Sequence, residues 1–270
     1  MTRTLSTARI VRRFVPGPLR TFIRLAIRRA QYWPHLYVGT SFVCPICLNP
    51  ARTLLPAGEP HRVLIEKRVV GAGVRKAVCP SCNSTDRERL VYLFVKQQLS
   101  RLHERLSVLH IAPEPHIRAL LSSHRNIRYL SGDIEAAADV RFDLVCAPFR
   151  DQTFDAVICN HVLEHIPNDA AAMREIYRVL KPTGWAVLQV PLSLVLSTTL
   201  EDFSVISPDE RERVFGQHDH VRIYSPGDYK SRLEAAGFRV EVHRSREIGG
   251  RAALKFGLAA QESLYCARKI

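Results

Sequence analysis

The chain has 270 residues, enough for one large domain and a small module, and its 46% hydrophobic content suffices for an ordinary globular core. The formal net charge of +13 is unevenly spread: residues 1–58 hold nine Arg, no Lys and no acid, so nine of the thirteen positive charges lie there and the remainder is close to neutral. A polyanionic partner is therefore to be sought at the N-terminal arm. No apolar run approaches the ~18–20 residues that a membrane-spanning helix needs, which excludes such a span. Seven cysteines, four of them in two tight pairs, argue against a disulfide framework and for a reducing, cytoplasmic compartment.

Residues 1–40 form the arm. Over residues 19–33, Leu19, Phe22, Ile23, Ala26, Ile27 and Ala30 fall on one helical face, with Arg20, Arg24 and Arg28 on the other. Such a basic amphipathic helix either docks on an anionic membrane surface, with Tyr32 and Trp33 at the interface, or packs on its own domain. An acid-free, Arg-rich start also fits a cleaved targeting peptide. Next come Cys44-Pro-Ile-Cys47 and Cys79-Pro-Ser-Cys82, 31 residues apart. Two C-x-x-C turns present four sulfurs to one tetrahedral ion, so these cysteines read as the ligands of a structural zinc. A redox C-x-x-C would need only one pair. The runs 63–65 and 68–70 read as short strands of a zinc ribbon over residues 41–84. Cys146, Cys159 and Cys266 sit singly in apolar stretches and read as small buried hydrophobes.

A helical pattern then links residues 85–106 to a larger domain, 107–270. Strands are expected at 107–111, 127–132, 142–145, 154–159, 185–190, 238–243 and 263–267, and helices at 115–122, 170–180, 208–214 and 227–236. The alternation predicts an α/β fold: a doubly wound, seven-stranded, mostly parallel sheet, Rossmann-like, preceded by the small zinc ribbon.

The stretch Asp151-Gln-Thr-Phe-Asp-Ala-Val-Ile-Cys-Asn-His-Val-Leu-Glu-His-Ile166, followed by Glu175-Ile-Tyr-Arg-Val-Leu-Lys-Pro-Thr-Gly-Trp185, resembles the class I S-adenosylmethionine-dependent methyltransferases of type 11. It is similar to their fourth strand, the helix after it and the turn into the fifth. Cys82-Asn-Ser-Thr-Asp-Arg-Glu-Arg-Leu90 and Gly216-Gln-His-Asp-His-Val-Arg222 look like features of a bacterial subgroup that joins a zinc ribbon to this domain. The resemblance implies S-adenosyl-L-methionine as cofactor, with Asp133 at its ribose hydroxyls and Asp143 at its adenine. Family members follow the first strand with an acid and a Gly-x-Gly-x-Gly loop, which lets the backbone approach the cofactor. Here the run is Val108-Leu-His-Ile-Ala-Pro-Glu-Pro-His116: His110 stands at the acid's position, Ala112, Glu114 and His116 at those of the glycines. Glu114 could then meet the cofactor ammonium directly. Asn160, at the end of the fourth strand, completes the cofactor-side set.

Methyl transfer to a hydroxyl needs the acceptor aligned and its proton removed. His161, just past the fourth strand, is the candidate base or acceptor-positioning group, with Glu164 to orient it. Gln217-His-Asp-His220 suits a polyol, and His218 or His220 is the alternative base; as a metal motif this H-x-H lacks an evident third ligand. The leading reading is methylation of a saccharide or small-glycoconjugate hydroxyl. Two others stand beside it: an RNA methyltransferase gripping nucleic acid through ribbon and arm, and a non-catalytic scaffold with a degenerate core.

Overall fold

The computed structural model describes residues 39–101, 104–135 and 138–270. The expectations for residues 19–33, membrane docking and targeting included, lie outside the described residues. Two short antiparallel pairs frame the cysteines: β1 (Phe42–Val43) with β2 (Pro50–Ala51), and β3 (Leu55–Ala57) with β5 (Arg75–Val78). Each C-x-x-C closes in the same way. Leu48 and Asn83, the residues after the second cysteine of each pair, take φ 61° and 66°, and their amides return to the carbonyls of Cys44 and Cys79 at 2.9 Å.

Between β3 and β5 the sequence reading needs correcting. Residues expected as a strand at 63–65 lie in a short helix, α1 (Arg62–Glu66), whose Leu64 is buried. Its apolar residues pack with Phe215 and Ile223 of the larger domain. The following strand, β4 (Val69–Val70), pairs antiparallel with β11 (Leu192–Ser193) of that domain. The ribbon is thus sewn onto the sheet domain by main-chain bonds.

Helix α2 (Asp86–Leu99) opens on Thr85, whose hydroxyl accepts from the Glu88 amide, and carries Asp86 and Glu88 in its first turn, where carboxylates favour the helix dipole. The remaining elements are β6 (Leu106–Ile111), α3 (Pro115–Ser122), β7 (Ile127–Asp133), β8 (Val140–Arg141), β9 (Phe154–Asn160), α4 (Asp169–Val179), β10 (Leu180–Gln189), then β11 and β12 (Leu200–Glu201), α5 (Pro208–Phe215), β13 (Arg222–Ile223), α6 (Pro226–Ala235), β14 (Phe238–Arg244), α7 (Ser245–Gly249) and β15 (Ser263–Lys269). Seven strands form one sheet in the order β14-β15-β10-β9-β6-β7-β8. Only β15 runs against its neighbours. The short strand expected at 142–145 lies instead at β8, and 144–146 is a 3-10 turn.

Alternation along the strands divides the core between two faces. Val157 and Cys159 of β9 pack with Met173 and Ile176 of α4 and Tyr229 and Leu233 of α6. Ala156 and Ile158 point the other way, onto Leu90 and Phe94 of α2 and Ile117 and Leu121 of α3. Helix α2, expected as a linker, therefore covers one face of the sheet. Cys159 and Cys266 are buried as expected, whereas Cys146 is exposed.

Candidate functional site

From β6 the sheet runs outward in both directions, to β7 and β8 on one side and to β9 and β10 on the other. That reversal sets the switch point at the carboxyl ends of β6 and β9, where doubly wound sheets take their ligands. On the β6 side, Ala112 turns the chain at φ 47°, in the left-handed region, and its amide bonds the carbonyl of Gly132 at 2.9 Å. Gly132 has no room for a side chain, because the Phe142 ring lies against it.

The loop that lacks glycines is braced by side chains. His110, fully buried in β6, meets Glu114 through Nε2 at 2.6 Å, and Tyr129 Oη lies 3.2 Å from its Nδ1. Asn160 Nδ2 donates to the second Glu114 oxygen at 2.9 Å. Glu114, the residue read as able to reach the cofactor ammonium, has a protein partner on each oxygen and ties β6 to β9. His116 is directed away, to Glu88 at 2.8 Å and to Cys82.

These residues fit S-adenosylmethionine. Asn160 Oδ1 is buried without a hydrogen-bond partner next to the Glu114 carboxylate, an acceptor pair suited to an ammonium group. Asp133 ends β7 half-buried; its Oδ1 accepts from the Glu135 amide at 3.0 Å, and a carboxylate with further acceptor capacity suits a vicinal diol. Asp143 is exposed and caps the 3-10 turn after β8, two strands from β6. The two aspartates make no bond to the His110–Glu114–Asn160 group.

Past β9 lies a cleft of about 430 Å³ between the ribbon and the sheet domain, lined by His161, Glu164, His165, His218 and His220 from one wall and by Gly71, Gly73, Arg75, Thr85 and Arg87 from the other. It brings together all four residues expected to be catalytic. His161 takes φ 55° and anchors its amide on Gln189 O at 2.7 Å. Arg87, which the sequence reading did not single out, reaches His161 Nδ1 at 3.0 Å. A guanidinium only donates, so Nδ1 accepts and the ring proton sits on Nε2, which is buried without a partner. Burial, with the Arg87 charge adding to it, holds His161 well below the usual histidine range. A neutral imidazole whose Nδ1 is taken by Arg87 keeps its Nε2–H as the group left to offer a hydrogen bond. Glu164 lies 3.4 Å from the same Nδ1, and burial pushes its carboxyl up to about 8.

The loop 217–220 is clamped beneath. Val221 N bonds Glu164 O at 3.0 Å, and Arg222, buried under Tyr224, donates to the carbonyls of Leu163, Ile166 and Pro167 and to Glu201. His220 is buried and pressed down to about 3, chiefly by desolvation, while His218 is half-exposed. Arg75 of the ribbon and Arg87 of α2, both lining the cleft, were missed. Arg87 lies inside the quoted run 82–90, but nothing in its spacing says that a helix start will meet a histidine 74 residues later.

The four cysteines converge, with Cys44 and Cys82 sulfurs 3.7 Å apart and those of Cys47 and Cys79 3.8 Å apart. Tetrahedral zinc–thiolate bonds of ~2.3 Å put sulfurs about 3.8 Å from one another, so the set fits zinc and is too wide for disulfides.

Strand order and the single reversed strand define a doubly wound α/β domain of Rossmann type. The chain belongs to the methyltransferase domain family, whose family model matches residues 62–243. Over 88 residues it is 32% identical to the ubiquinone biosynthesis O-methyltransferase of Paraburkholderia phytofirmans, covering 32% of this chain and 37% of that one. Over 60 residues it is 42% identical to an uncharacterized protein of Methanocaldococcus jannaschii, covering 22% and 26%. The matches thus span well under half the length of these curated relatives. Among solved structures, a methyltransferase from Archaeoglobus fulgidus has 16% identity and a TM-score of 0.45, covering 67% of this chain and 93% of that one. One from Mesorhizobium loti has 16% identity and a TM-score of 0.45, covering 66% and 98%.

Proposed function

We propose that the protein transfers the methyl group of S-adenosylmethionine to a hydroxyl of a saccharide or small glycoconjugate, and that Cys44, Cys47, Cys79 and Cys82 hold a structural zinc. The observation that carries the reading is the His161 imidazole, its Nε2 unpartnered beside a cleft rimmed by hydrogen-bonding groups of both signs. Polyols are recognised by such alternating donors and acceptors, whereas an RNA groove would show basic residues interleaved with aromatics.

The bound cofactor supplies a methyl carbon already activated by the sulfonium. Asp133 holds the ribose and Asp143 lies toward the adenine; Asn160 and the braced Glu114, with His110 and Ala112 behind it, face the methionine end. His161 donates to the acceptor oxygen and fixes it in line with the methyl carbon. His218, half-exposed in the same wall, takes the hydroxyl proton as the oxygen–carbon bond forms and the carbon–sulfur bond breaks, and returns it to solvent.

Substitution separates these roles. Asp133→Ala removes a charged partner of two hydroxyls and should weaken cofactor binding by about tenfold to a hundredfold in a calorimetric titration. His161→Ala should leave that affinity unchanged and lower kcat on a saccharide acceptor by about a hundredfold. Wild-type protein that binds neither the cofactor nor its demethylated product overturns the enzyme reading.

A further inference from the structure

The His-Asp-His loop has no third metal ligand nearby in sequence. The fold supplies two. Glu164 and His165, on the 3-10 turn after β9, stand beside His220, and the ligand atoms of the three lie within 4.8 Å of one another. We propose that Glu164, His165 and His220 form a second metal site, distinct from the four cysteines, for a divalent first-row transition ion.

Four observations point to an ion. The His165 and His220 rings are 4.6 Å apart and nearly perpendicular, at 83°, so they converge edge to face. Glu164 is 1% exposed, and its Oε2 has no hydrogen-bond partner; a buried carboxylate oxygen left bare is costly unless a cation meets it. Asp219 places a second carboxylate 3.3 Å from His165 Nδ1, adding negative charge beside the site. The turn and the loop are locked in register by the Val221–Glu164 main-chain bond and by Arg222, which grips the carbonyls of Leu163, Ile166 and Pro167. Rigid backing of this kind keeps ligands in place before the ion arrives.

The donor set selects the ion. Two imidazoles and one carboxylate are borderline ligands that suit Mn²⁺, Fe²⁺, Co²⁺, Ni²⁺ or Zn²⁺, whereas Mg²⁺ and Ca²⁺ prefer oxygen alone. The four thiolates are a softer set and hold zinc closed. Three protein ligands leave coordination positions open, and all three residues line the cleft that also holds His161 and His218. An acceptor hydroxyl bound there would lose its proton more readily, and two neighbouring hydroxyls could chelate. This role rests on the methyl-transfer reading; the ion site itself does not.

Mn²⁺ separates the two sites, because thiolates hold it weakly. Full-length protein shown by metal analysis to carry one zinc per chain, removable by a thiol reagent and so held by the cysteines, is titrated with Mn²⁺, without cofactor or acceptor, and the sharp paramagnetic resonance spectrum of free Mn²⁺ is followed. Wild type should remove one equivalent. Glu164→Gln and His220→Ala should each weaken that binding by at least tenfold, and His218→Ala should retain it. A wild-type titration in which all added Mn²⁺ stays free overturns the site, whether or not any variant folds. So does undiminished binding in Glu164→Gln and His220→Ala variants that melt like the parent. Neither result touches methyl transfer, which is read by cofactor binding.

Discussion

Glu114 braces with hydrogen bonds a turn that a glycine loop would leave without side chains. Its two oxygens are bound by His110 at 2.6 Å and by Asn160 at 2.9 Å, so the turn between β6 and α3 is held from both neighbouring strands. A glutamine has the same shape but replaces one acceptor oxygen with an amino group, which would face either the Asn160 amide donor or the buried imidazole. Glu114→Gln should therefore cost about 1–3 kcal/mol of folding stability, measured by urea denaturation, before any cofactor is added. A loss of only a few tenths would mean that the bracing is absent. This rearranged role was not legible in sequence, where the eye sees only that glycines are missing. Which partner fills a carboxylate depends on the register of β6 with β9, and that register pairs His110 with Ile158 and Ile111 with Cys159 just before Asn160.

Among elements, α2 ties the ribbon to the sheet domain. Arg89 is fully buried on it and donates to the carbonyls of Ser84, Phe256 and Gly257 at 2.7 to 2.8 Å, joining the second cysteine turn to the segment before β15. Arg89→Ala strips three buried acceptors of their donor and leaves a cavity. The expected loss is about 3 kcal/mol or more, read from the denaturation midpoint; a loss under about 1 kcal/mol would show that water replaces the guanidinium at no cost. Element types with strong periodicity were legible: α3 starts at Pro115 and ends at Ser122 as read, and the strand at β9 gains only Asn160. Residues 62–66 were not, since the three-residue apolar run 63–65 carries no usable period, and its helix is settled by Leu64 packing against the larger domain. The strand expected at 142–145 fails for a similar reason: Asp143 caps a 3-10 turn through the Val145 amide at 3.1 Å, a local bond that competes with the sheet ladder.

At the scale of the molecule, sequence separated a ribbon from a catalytic domain where the structure joins them. The composition of the two parts differs, and nothing in a sequence records that β4 will pair with β11, or that the loop between the cysteine pairs will form one wall of the cleft. The joints are numerous: Val43 N bonds Lys255 O at 2.8 Å, Ser193 Oγ bonds Lys67 O at 2.5 Å, and His116 of α3 reaches Cys82 itself. Zinc stabilises a ribbon by holding ligands that the unfolded chain scatters, and that binding energy is folding energy for whatever unfolds with the ribbon. If the two parts are one cooperative unit, removing zinc should lower the melting temperature of the whole sheet domain. Calorimetry after dialysis against a chelator should then give a single transition, moved down, with the signal of Trp185 in β10 changing at the same temperature. A sheet that melts at its original temperature after the ribbon has already come apart would show two independent units. In that case zinc loss would open the ribbon wall of the cleft, Gly71, Gly73 and Arg75 included, without unfolding the wall that carries His161, and turnover would fall while cofactor affinity held.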